Sequence, residues 1–224
     1  MDKLRFPDQG STPQPLRQEH LDGVGGIPVL IFLVRFQGQW ILIDSGTGRV
    51  EKEHSWLVGK LQGEGVEPGA VRHIFLTHKH GDHCLGLIGP QGEALFPCAQ
   101  VHLSQEDAGT AWKNPVNEAD KEREEPIVRV GRVYHQKGLW MPFTPQTTRI
   151  AGVGIRPLPG HTPGHCGYLL EGEGESVFFW GDIMHVGPLQ FPEPRIGITY
   201  DTDGEAAVSR RLSLLEKLAD TSVQ

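Results

Sequence analysis

The segment Thr77-His78-Lys79-His80-Gly81-Asp82-His83 constrains this chain more than any other. It sets three imidazoles and a carboxylate within six residues, directly after the apolar run VRHIFL. A strand end is rigid, and the loop beyond it can turn several side chains toward one point. Neutral imidazole binds a borderline cation such as zinc at about 2.0–2.1 Å, and a carboxylate does so at similar range. Four such donors exceed what one catalytic ion with an open coordination position needs, so the spacing points to two adjacent ions. Gly81 is expected to supply the tight bend that lets His80 and Asp82 face different ways.

Two later segments repeat the pattern. LPGHTPGH, residues 158–165, follows an apolar stretch, and one of its histidines would complete a three-imidazole site with His78 and His80. FFWGD puts Asp182 at another strand end, where its two oxygens suit two ions. Alone, His161 and Asp182 suit structural roles equally well. Three clusters at three strand ends argue for one shared site.

The surrounding pattern is strand-rich. Buried strands are expected in PVLIFLVRFQ and QWILIDSG, joined near Gly38, and in VRHIFLTH and VHLS. Further strands are expected at Ile127–Tyr134, Arg149–Leu158, Gly167–Leu170 and Val177–Trp180. Helices are expected over Val50–Gln62 and from Gln105 to Trp112. A closing helix is expected with Thr202 as its cap, Glu205 as capping-box partner and Val208, Leu212, Leu215 and Ala219 as its apolar stripe. This is an α/β (α+β) chain of two packed sheets flanked by helices, rather than strict βαβ alternation.

Composition narrows the class. With 38% hydrophobic and 22% charged residues the chain suits a packed domain, not a disordered segment. A length of 224 residues suits a flexible lead-in over 1–23 and a single domain over 24–224. The net charge of −7 argues against a nucleic-acid partner. No apolar window is long enough for a membrane span, and the polar first twenty residues do not read as a secretory leader. Three cysteines, Cys84, Cys98 and Cys166, fit a reduced cytoplasmic setting better than a disulfide framework.

The TH-K-HGDH run, the later GHTPGH and the GDIMH segment resemble the metallo-β-lactamase superfamily. GDIMHVGPLQFPEPR with YDTDGEAAVSRR resembles its methyl parathion hydrolase and quorum-quenching lactonase-like branch, over roughly residues 28–220. The resemblance implies a four-layered αββα sandwich. It also implies that His78, His80 and His161 bind one ion, that Asp82 and His83 bind a second, and that Asp182 bridges them. The implied cofactors are two divalent ions, zinc first, with Mn, Fe or Co as substitutes. The implied activity is a hydrolase using a metal-bound hydroxide on a small lactone, ester or phosphotriester, with Asp82 as the catalytic proton carrier. Members of the family continue into a further strand that carries a last histidine ligand. No histidine follows His185 here. The expectation is a chain short of that strand, ahead of a ligand from another subunit or a one-ion site. The second ion is then weakly held, and the open sheet edge allows a homodimer.

Neighbouring residues have plainer expected uses. His165 is expected to bond its own loop, and His185 to orient Asp182 or to act as a substitute ligand. Cys84 and Cys166 read as buried thiols, and Asp44 as a support for the first histidine loop. His20, His54, His73, His102 and His135 read as ordinary residues. Trp112, Trp140, Met141, Phe143 and Phe191 read as core ahead of a substrate pocket. Two other functions compete: a glyoxalase II-like thioesterase, for which no late Lys/Arg cluster is present, and a shortened non-catalytic metal-binding relative.

Overall fold

The computed structural model describes residues 27–51, 54–113, 124–172 and 175–219. The expected lead-in over 1–23 lies outside them. The first apolar run forms an antiparallel hairpin of β1 (Phe32–Phe36) and β2 (Gln39–Ile43). Its turn holds Gln37 and Gly38 at φ 48° and 78°, the left-handed pair that matches strand twist in a two-residue hairpin.

A helix is expected from Val50, but it starts later. Residues β3 (Val50–Glu51) and β4 (His54–Ser55) pair instead, and α1 runs over Trp56–Gly63. Ser55 sets that start, because its side chain accepts the Val58 N–H and so satisfies an otherwise orphaned donor. Next come β5 (Val71–Phe75), α2 (Gly81–Cys84), β6 (Gln100–Ser104), α3 (Gln105–Ala108), α4 (Pro126–Gln136) and β7 (Trp140–Phe143). The expected helix from Gln105 stops at Gly109, whose φ is 56°, before a separate 3-10 turn at Ala111–Lys113.

The first sheet has the order β1-β2-β5-β6-β7, parallel from β2 onward. Ile41, Ile43 and Phe75 face one core, while Leu42, Ile74, Leu76, Val101 and Leu103 face another. Burial on both faces explains why these strands read as continuous apolar runs. Leu57 and Leu61 of α1 and Ile127, Val130 and Tyr134 of α4 fill the outer core.

Ile127–Tyr134 is therefore helix, not strand. Its β-branched composition suggests a strand, but Ile127, Val130, Gly131 and Tyr134 are the buried positions, which is a helical period. Pro126 fits the first turn, where no N–H is needed. Gly131 lets the helix sit close: a Cβ there would lie 3.1 Å from Trp112 and Trp140 side-chain atoms.

The second sheet is antiparallel. It contains β8 (Arg149–Ile150), β9 (Val153–Pro157), β10 (Cys166–Glu171) and β11 (Ser176–Phe179), in the order β11-β10-β9-β8. Val153, Ile155, Cys166, Tyr168, Leu170 and Phe179 meet Ile41, Ile43, Phe75 and Phe143 between the sheets. Among the described residues no further strand pairs with β11. After the short α5 (Gly187–Gln190), α6 (Gly204–Ala219) docks on the connections leaving this sheet.

The cap of α6 is Asp203, whose Oδ1 accepts the Ala206 N–H at 3.0 Å, and not Thr202. Thr202 instead donates its N–H to the His161 carbonyl at 3.0 Å. Ala207 and Arg211 are the buried residues of α6, whereas Val208, Leu212 and Leu215 are half-buried and Ala219 is exposed. The expected stripe is offset by one position because Arg211 is drawn inward by three carbonyls.

Candidate metal centre

The chemistry-bearing loops leave the ends of β2, β5, β6, β9 and β11 on one side of the sandwich. At its middle, His78 Nε2 lies 3.0 Å and His161 Nε2 2.9 Å from His80 Nδ1. Asp182 stands beside this trio. Its Oδ2 is 3.4 Å from His161 Nε2 and 3.9 Å from His78 Nε2, and its Oδ1 is 3.4 Å from His83 Nε2. Asp82 sits at the rim, half-exposed, with Oδ2 3.8 Å from His83 Nε2. All six residues predicted to share a site are thus brought together.

Outer partners orient the inner nitrogens. Asp44 accepts from His83 Nδ1 at 2.8 Å, from the Thr77 hydroxyl at 2.8 Å and from the Thr77 amide at 2.7 Å. Thr77 Oγ1 in turn lies 3.0 Å from His78 Nδ1. Asp201 lies 2.8 Å from His161 Nδ1. With Nδ1 donating outward, His78, His83 and His161 each turn Nε2 inward, the nitrogen a metal ligand would use. Asp44 adopts φ 59°, a left-handed conformation that aspartate tolerates better than most residues.

Converging lone pairs repel unless a proton or a cation lies between them. Burial, then the His83 charge, hold His78 well below its ordinary pKa, and burial followed by His161 lowers His80. Burial would lower His83 as well, but Asp44 and then Asp182 raise it to about 11. Burial would raise Asp182, yet the imidazoles of His185 and His83 hold it well below the carboxylate range. Neutral imidazoles at His78 and His80 facing an ionised carboxylate form a donor set suited to zinc and similar divalent ions.

Two glycines make the geometry possible. A Cβ at Gly160, where φ is 143°, would lie 2.4 Å from the Ala207 amide nitrogen. One at Gly181, where φ is 58°, would lie 2.6 Å from His165 Nε2. Gly81 acts differently from the expectation. It opens α2 without a left-handed φ, and its smallness instead admits Pro126 and Leu85, whose side chains would lie 3.1 and 3.2 Å from a Cβ at this position.

Several supporting residues carry no mark in the sequence. Asp107, buried after β6, accepts the Lys79 amide at 3.0 Å, the Gly164 amide at 2.7 Å and the Thr162 hydroxyl at 2.5 Å. It ties the two histidine loops together. Asp201 likewise has no local signal that sets it apart. His165 bonds backbone on both sides and faces no shared donor group. Cys84 and Cys166 donate to the Lys79 and Gly164 carbonyls, and burial raises both thiols, so neither is placed as a ligand. His102 is buried and His73 half-buried, and their rings stack and meet at 3.0 Å. His135 meets Trp112 with its ring tilted 56°, and His20 lies outside the described residues.

The centre opens into a cavity of about 550 Å³ lined by Ile27, Pro28, Val29 and Tyr200 beside the histidines. Trp112, Trp140 and Phe143 are core, and none of the five aromatic or Met candidates lines this cavity. No helix among the described residues is long and apolar enough to cross a membrane.

Two sheets with a His/Asp cluster at their loop-bearing edge define a dinuclear-metal type of protein. The superfamily pattern of the metallo-β-lactamases matches residues 24–221, and the chain belongs to that superfamily. It is 28% identical over 212 residues to a probable metallo-hydrolase of Mycobacterium tuberculosis, covering 78% of this chain. The chain spans 65% of that relative's length. Among solved structures, a hydrolase of the β-lactamase superfamily superposes with a TM-score of 0.72 at 32% identity, over 85% of this chain and 68% of that one. A dizinc quorum-quenching lactonase, solved with the product N-hexanoyl-L-homoserine, gives 0.69 at 27% identity, over 86% and 69%.

Proposed function

We propose that the chain is a metal-dependent hydrolase acting on small lactones, esters or phosphotriesters. One observation carries the reading. Three imidazole nitrogens converge within 3.0 Å steps while the two oxygens of Asp182 face different imidazoles. His78, His80 and His161 would hold one ion, Asp82 and His83 a second, and Asp182 would lie between them. Divalent ions bound there supply a hydrolytic water that ionises near neutral pH and polarise the oxygen of the scissile group. Similarity to a dizinc lactonase supports zinc and a lactone substrate. A cytoplasmic setting, supported by three free thiols, and a single metallo-β-lactamase-like domain over 24–224 belong to the same proposal.

The chain's own residues supply the rest. Asp44 and Asp201 fix the tautomers of His83 and His161. Asp82, half-exposed at the cavity, would accept on its carboxylate the proton that hydrolysis releases and pass it to the leaving group. Ile27, Pro28 and Val29 form an apolar wall against the non-reacting part of the substrate.

The test is hydrolysis of an N-acyl homoserine lactone, a nitrophenyl ester and a phosphotriester, with zinc, manganese or cobalt, before and after chelation. Turnover of at least one substrate is expected, with loss on chelation and at least a hundredfold loss in His80→Ala. Unchanged turnover in that variant overturns the mechanism. Stoichiometric metal without turnover selects the non-catalytic relative.

A further inference from the structure

His185 lies outside the six residues of the proposed centre, yet it faces them. Its side chain is 3% exposed, it lines the same cavity, and neither ring nitrogen has a hydrogen-bond partner. Nε2 is 3.1 Å from Oδ2 of Asp182, but its direction makes no hydrogen bond. The ring centroid is 4.9 Å from that of His161. Donor atoms of His161, Asp182 and His185 all lie within 4.8 Å of one another.

This isolation does not come from a slack loop. The His185 and Val186 amides both donate to Gln190 Oε1, at 2.8 and 2.9 Å, and Gln190 Nε2 donates to the Ile196 carbonyl at 2.9 Å. Arg211 grips the same segment through the Ile183, Pro194 and Ile196 carbonyls, at 2.6, 2.9 and 2.7 Å. The backbone around the ring is held, while the imidazole nitrogens make no hydrogen bond and only the Asp182 carboxylate stands near Nε2. Buried polar groups are almost always bonded, and a bare one in a rigid frame marks a missing partner. Aimed at a carboxylate oxygen shared with His161, that partner is a cation.

We propose that His185 is itself a metal ligand, binding through Nε2 at the Oδ2 face of Asp182, next to His161. The inference rests on the metal-centre reading above and adds a donor that reading does not use. It places the extra imidazole on the His161 side of Asp182, away from His83, which approaches Oδ1.

The test uses metal-free full chain titrated with cobalt alone, followed by visible absorption, and zinc affinity by chelator competition. His185→Gln keeps a hydrogen-bond donor near Asp182 but removes the imidazole, so it separates ligation from orientation. His185→Ala is its companion, and melting curves in chelator check that each variant folds. Both variants are expected to change the cobalt spectrum and weaken one metal equivalent at least tenfold. Wild-type spectrum and affinity in a folded His185→Gln overturn the inference alone. Failure of the wild-type chain to bind cobalt or zinc overturns the metal-centre reading, and this inference with it.

Discussion

The backbone N–H of Asp182 donates to Nε2 of His165 at 3.0 Å, while Nδ1 of the same ring donates to the Leu158 carbonyl at 3.1 Å. Burial, then His161, lowers His165 to about 3, so the ring stays neutral and keeps its acceptor. His165 therefore fixes where Asp182 stands. In His165→Leu the buried Leu158 carbonyl and the part-buried Asp182 amide lose this partner, the buried one at about 1–3 kcal/mol. Urea unfolding is expected to report that loss. Metal titration is expected to show both equivalents weakened, because Asp182 faces His161 and His78 through one oxygen and His83 through the other.

Asp44 acts on His83 and, through Thr77, on His78. Asp44→Asn swaps one acceptor oxygen for a donor that faces an N–H or a hydroxyl. Outer partners of this kind contribute about 10–100-fold to metal affinity. A fall of that size in zinc affinity is expected by chelator competition, and an unchanged affinity contradicts the orienting role.

Asp107 joins loops that are far apart in sequence through Lys79, Thr162 and Gly164. Asp107→Ala orphans two buried donors and the part-buried Lys79 amide, with an expected cost of at least about 2 kcal/mol. Hydrogen exchange should show faster opening at the Lys79 and Gly164 amides before global unfolding. Slow exchange at both amides in the variant is the contrary result.

His102 sets a pH dependence away from the metal centre. Its ring stacks on Phe75 with centroids 4.8 Å apart and meets His73, and burial followed by the His73 charge lowers its pKa to about 3. In the unfolded chain the value is about 6.5. Above pH 6.5 the ring is neutral in both states and the full stability is present. As pH falls from there toward 3 the unfolded chain takes a proton that the folded one refuses, so stability is lost at up to about 1.4 kcal/mol per unit. His102→Phe is expected to flatten this acid slope in urea melts at pH 7.5 and 5.5. An unchanged slope removes His102 as a cause.

Much of this is legible in local sequence. HKHGDH marks a turn of ligands after a buried strand, and the apolar runs in QWILI and VRHIF mark strands whose two faces are both covered. Local pattern misleads where composition and period disagree. Ile127–Tyr134 has strand-like residues at helical spacing, and the core on α4 selects the spacing. The α6 cap moves one residue, to Asp203, because Thr202 is drawn to His161.

By itself the sequence determined which donors exist and which strand ends deliver them, because those are properties of short segments. Only the tertiary structure decided which nitrogens are free. Asp201 occupies one side of His161 from 40 residues away, backbone occupies both sides of His165, and both nitrogens of His185 are left without a hydrogen bond. The physical reason is that hydrogen bonding saturates each group in space, between loops whose proximity no local pattern encodes.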